Sequence, residues 1–222
     1  EFYQFYKSFY VPNNACLAIA GDIDIPRTKE LVTKYYGDIP RGGEIFRPKE
    51  IEPPQTAEVR DTVYDNIQLP AVILAYHMPA QGTKDYYALS MLTTLLSGGE
   101  SSRLTKRLVD KDKLALAVQA IPLSLEDPGL FIAFAVANFG RTLPEVEKVI
   151  QEEIDRVQKD LISEKDFQKI RNQRESEFIQ KNSTVQGKAM QLANYHLFFG
   201  DANLINGEID RFMQVTREDL RR

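Results

Sequence analysis

Residues 86–118, YYALSMLTTLLSGGESSRLTKRLVDKDKLALAV, most constrain what this chain can fold into. Ala88, Met91, Leu92, Leu95 and Leu96 recur at helical spacing, which predicts a helix with a buried face. Gly98-Gly99 ends that helix, because glycine takes the left-handed conformation that closes a helix without a Cβ clash. Ser101 or Ser102 can then cap a second helix carrying Leu104 and Leu108 on its apolar side. From Leu114 the period drops to two, with Leu114, Leu116 and Val118 facing one way and Ala115, Ala117 and Gln119 the other.

The same reading extends to both sides. Residues 1–10 place Phe2, Phe5, Tyr6, Phe9 and Tyr10 on one helical stripe, the spacing of a core face. Residues 15–20 form a short apolar run suited to a buried strand, and Asp24 caps a helix with Pro26 in its first turn. That helix would bury Leu31, Val32, Tyr35 and Tyr36. Strands are expected at residues 57–64, 69–78, 114–125 and 129–137, the last two split by the turn Glu126-Asp127-Pro128. Capping boxes at Thr142/Glu145 and Ser163/Asp166 open two later helices, and two more are expected over 188–199 and 204–213. Strands that mostly precede helices give an α+β fold, a mostly antiparallel sheet with helices packed on one face.

Composition narrows the function classes. The net charge of −4 is spread over both signs, so a concentrated basic face for nucleic acid is not indicated. Gly-x-Asp follows residues 15–20, but no phosphate-binding glycine loop follows it. Cys16 is the one cysteine, so no internal disulfide forms, and its apolar surroundings read as a buried thiol. His77 and His196 are the only histidines, far apart and outside any H-x-x-E-H-type pair, so no metal site is expected in this chain. Ser97, Ser101 and Ser102 flank the glycines without a G-x-S-x-G, and capping accounts for them. No catalytic residue is assigned. Thr216/Asp219 opens a helix close to the last residue, and both chain ends read as cuts in a longer protein.

The stretch LSGGESSRLTKRLVDKDKLALAV resembles the second-domain signature of the pitrilysin/insulinase-like zinc metallopeptidases, processing-peptidase-like members included. PNNACLAIAGDIDIPRTKELVTKYYGDIP, LPAVILAYHMP and QVTREDLRR are similar to further stretches of that family, in the same order. The resemblance implies a half-clam domain at residues 57–222. It also makes residues 1–45 the helix-strand-helix tail of a first α/β domain and 46–56 the linker, which the proline-rich composition of 41–55 supports. It implies that the zinc motif lies upstream of Glu1, with zinc in the full-length parent and no cofactor in this piece. There, zinc as Lewis acid and an upstream glutamate would drive water onto a peptide bond.

By the same resemblance, Gly98, Gly99, Ser102 and Arg103 line a substrate chamber. Many members carry an arginine and a tyrosine seven residues apart after S-S-R-L, which hold substrate backbone and oxyanion. Val109 and Leu116 stand at the matching positions here, and neither can donate a side-chain hydrogen bond. That replacement implies the C-terminal part of a zinc-bearing bacterial subunit that works with a second family chain. The implied partners are a peptide substrate and a homo- or hetero-oligomer, with neither nucleic acid nor a membrane span in this piece. The alternative is a part of a non-catalytic scaffold or assembly homologue. The residues leave the compartment open, and the resemblance favours a bacterial periplasm or cell envelope.

Overall fold

A computed structural model describes residues 1–48 and 53–222. Residues 49–52 of the expected linker lie outside the described residues. The chain divides into two compact units, one of residues 1–65 with 184–202 and the other of 66–183 with 203–222.

The second unit is built on a three-stranded antiparallel sheet. β1 (Ala71–Met78) and β2 (Ala115–Leu123) flank the central β3 (Gly129–Ala137). Because side chains alternate along a strand, Phe131, Ala133, Ala135 and Ala137 of β3 point to one face and are buried there. Met78 of β1 and Ala120 of β2 join them. Leu96 of α3 (Lys84–Ser97), and Val146, Val149 and Ile150 of α4 (Leu143–Lys159), cover that face. The opposite face stays open, with Ile73 at 64% exposure.

α3 is apolar on two sides, where the sequence period predicts one buried face. Its Leu96 belongs to the sheet core, while Tyr87, Ala88, Met91 and Leu95 enter a second cluster. There they meet Phe167 and Ile170 of α5 (Glu164–Ser183), Val157 of α4, and Val215 and Leu220 at the end of the chain. Two short helices complete this side, α7 (Glu208–Met213) and α8 (Arg217–Arg221). The Tyr87 hydroxyl donates to Glu208 at 3.0 Å and accepts from Arg211 at 3.2 Å, so its buried polar end is satisfied. Burial pushes that hydroxyl up to about 12.

The other unit holds α1 (Phe2–Phe9), α2 (Ile25–Tyr36) and α6 (Val185–Phe199). Asp24 caps α2 as expected, accepting from the Arg27 amide at 2.7 Å. Asn13 ties the first turn to the linker side, accepting from Gly42 N at 2.8 Å and donating to Gly43 O at 3.0 Å. Among its described residues only Tyr195 is buried.

Several sequence expectations need correction. The aromatic stripe of α1 is not core: Phe2, Phe5, Tyr6 and Tyr10 are exposed, because this unit offers no apolar layer to receive them. Tyr35 and Tyr36 of α2 are exposed for the same reason. Residues 15–20 and 57–64 form no strand, since a strand needs a partner ladder and none reaches them among the described residues. In β2 a one-residue bulge between Ala115 and Ala117 breaks the period. Ala115, Val118 and Ala120 then face the core, and Leu116 is left 49% exposed. The second helix after the glycines is a π-helical turn, Thr105–Lys111, although Leu104 and Leu108 are buried as expected.

Gly99 takes φ +99°, while Gly98 closes α3 with its amide on Thr94 O at 2.8 Å. A Cβ on Gly98 would lie 2.4 Å from that oxygen. Each valine variant, Gly98→Val or Gly99→Val, should therefore destabilise by more than the roughly 1 kcal/mol separating glycine from alanine in a helix. Urea denaturation measures this, and an unchanged midpoint for both would show that the turn needs neither glycine.

A second expectation concerns acid. Asp219 is held down to about 2 by the hydrogen bond from Lys84, helped by the Thr216 amide and hydroxyl and opposed by partial burial. Its Lys84 contact is 2.7 Å. Because the folded value lies below the unfolded one, Asp219 stabilises the fold above its ordinary value of 3.8, and that stabilisation fades as pH falls towards 2. The urea midpoint difference between the native chain and Asp219→Asn should shrink across that window. A difference that stays constant through it contradicts the assignment.

Candidate functional site

The chemistry-bearing candidates gather around the loop that follows α3. Its backbone is fixed locally, with Gly99 N donating to Ser97 O at 2.8 Å and Ser102 N to Gly99 O at 3.0 Å. Ser102 is buried, and its hydroxyl donates to Thr105 Oγ1 at 2.9 Å rather than capping a backbone amide, so the π-helical turn begins without the expected side-chain cap.

Two residues of α5 brace the loop from outside, and sequence reasoning missed both. Gln173 Nε2 donates to Gly98 O at 3.0 Å, and Lys169 Nζ donates to Ser101 O at 3.3 Å and to the Ser101 hydroxyl. Contacts across 68 and 75 residues leave no local pattern to read. Arg174, the residue after Gln173, is largely buried, reaches Ser90 O and Thr93 Oγ1 of α3, and stacks on Phe212. Arg103 lies half-buried after the loop, and its Nη1 meets no hydrogen-bond partner among the described residues.

Val109 lies half-buried on the π-helical turn, and Leu116 sits at the bulge of β2. The two positions thus fall on two one-residue irregularities, joined by Leu114 N donating to Leu108 O at 2.8 Å. Arg107 anchors the turn, pairing with Asp112, with Glu152 at 3.3 Å and with the buried Glu153 at 3.7 Å. The hydrogen bond to Asp112 raises the Arg107 guanidinium further above its already high value. Arg156 also reaches Glu153 at 3.0 Å, so the buried carboxylate is paired on both sides.

These residues do not fit a zinc ion. His77 and His196 belong to different units, and no group of three histidine, cysteine or acidic side chains converges among the described residues. No helix among the described residues is long and apolar enough to cross a membrane.

Comparison with known proteins follows the same lines. A family model described as the peptidase M16 inactive domain matches residues 1–174. The zinc protease PqqE of Helicobacter pylori is 28% identical over 220 residues, covering 98% of this chain and 49% of that protein. Among solved structures, that of a protease from Helicobacter pylori superposes with a TM-score of 0.82 at 26% identity, over 98% of this chain and 53% of that one. A chain of complex III2 from Candida albicans shares the fold, with a TM-score of 0.70 at 14% identity over 90% of this chain and 49% of that one. The chain spans about half the length of the relatives it matches most fully.

Proposed function

The chain belongs to the family of peptidase M16 inactive domains, and we propose that it serves as the C-terminal, non-zinc-binding portion of a zinc-dependent metalloendopeptidase subunit. In that role it helps enclose peptide substrate in a chamber, and Gly98, Gly99, Ser102 and Arg103 line the wall. The family match over residues 1–174 carries the reading.

The domain plan follows from the same reading. Residues 1–45 are the tail of a first α/β domain, 46–56 the linker and 57–222 the second domain. The exposed aromatic stripe of α1 and the unpaired residues 15–20 support this, because both are surfaces built to be covered. Val109 and Leu116 lack the donors that would steady an oxyanion, so the parent works with a second family chain that supplies them.

An alternative reading makes the parent a non-catalytic scaffold or assembly homologue, which the donor-free Val109 and Leu116 also fit. An H-x-x-E-H in the remainder of the parent separates the two. The direct test purifies the parent alone and with an arginine–tyrosine-bearing partner, then measures zinc content and cleavage of an unfolded peptide. One zinc per parent and cleavage only in the pair is the expected result. Full activity of the parent alone removes the need for a partner, and a zinc-free parent favours the scaffold reading.

A further inference from the structure

The loop after α3 is tied down from two sides by groups elsewhere in the second unit. Ser97, the last residue of α3, accepts from Ala120 N at 2.7 Å and donates to Ala120 O at 3.2 Å through its Oγ, which fixes the entry to the loop against β2. From the other side, Gln173 Nε2 donates to Gly98 O at 3.0 Å and Lys169 Nζ to Ser101 O at 3.3 Å. Gly98 and Gly99 have no side chain of their own to pack, so the path of the loop is set by what grips its carbonyls.

That grip is not the most stable way to fill the space. With Nε2 spent on Gly98, Gln173 Oε1 is buried without a hydrogen-bond partner among the described residues, as are Arg174 Nε next to it in sequence and Arg103 Nη1 after the loop. Leaving a buried polar atom unmet costs stability, whereas an apolar side chain of similar shape at 173 would cover the loop with nothing left unmet. What the glutamine adds over a leucine is a donor aimed at Gly98 O. Lys169, one turn earlier on α5, likewise directs its ammonium onto the loop, at Ser101 O and the Ser101 hydroxyl.

We propose that Gln173 and Lys169 are positioning residues for peptide binding in the parent. They touch no peptide themselves. Through Gly98 O and Ser101 O they hold the loop in the path that meets the peptide, so they set how tightly the parent holds its substrate and leave the chemical step alone. The inference rests on the chamber reading given above, in which Gly98, Gly99, Ser102 and Arg103 line the wall. It adds α5 to that site as the element that gives the wall its shape.

Steady-state cleavage of an unfolded peptide by the full-length parent with its arginine–tyrosine-bearing partner tests this, with zinc content and melting temperature measured on the same samples. Gln173→Glu keeps the length of the side chain and removes the donor, Gln173→Leu also removes the orphaned carbonyl, and Lys169→Met removes the ammonium. Each should raise KM about fivefold, the factor that one net hydrogen bond is worth, with kcat and zinc content unchanged. Gln173→Leu should do so without lowering the melting temperature, and Lys169→Arg, which keeps a donor, should keep the native KM. Hydrogen exchange at the Glu100 and Ser101 amides should quicken in the first three variants.

A rise in KM that appears only where the melting temperature falls assigns both residues to the fold alone and overturns the proposal. A native KM in Gln173→Glu and Lys169→Met overturns it too, as do loop amides whose exchange does not quicken. A pair that cleaves no peptide overturns the chamber reading, and this inference with it.

Discussion

The structure depends on the close seating of helices against the alanine face of β3. Ala133, Ala135 and Ala137 present almost no side chain, so α3 and α4 can lie against the sheet and fill the space with Leu96, Val146 and Ile150. At interior packing density such a face tolerates little change in volume. Everything that positions the loop after α3 follows from this seating. α3 is held by the sheet on one side and by α5 and α8 on the other, and its C-terminal end delivers Gly98 and Gly99 to one place.

What was legible in the sequence was local. The period of α3, the cap at Asp24, the capping boxes at Thr142 and Thr216 and the left-handed glycine after α3 all appear where the residues put them. Each involves groups a few positions apart, so the pattern carries the geometry. The bulge at Leu116 and the π-helical turn over Val109 were not legible, because each adds one residue that no apolar period records. Residues 15–20 and 57–64 read as strands because their composition is right for strands. Pairing depends on a partner elsewhere, which composition does not supply.

The candidate site divides along the same line. Gly98, Gly99, Ser102 and Arg103 could be named from the sequence, while Lys169, Gln173 and Arg174 of α5, which brace the loop and α3, could not. The result is a loop held firmly, with the Ser102 hydroxyl bonded to Thr105 and Val109 and Leu116 without side-chain donors.

The central claim is that the sheet, its helical cover and the braced loop carry the fold, whereas residues 15–20 and 57–64 pair with no strand among the described residues. Amide hydrogen exchange on the isolated chain tests this most directly. The account predicts that the β3 amides from Phe131 to Ala135 exchange slowest, through global unfolding, while residues 15–20 and 57–64 exchange close to the unprotected rate. Protection of residues 15–20 equal to that of β3 would contradict it.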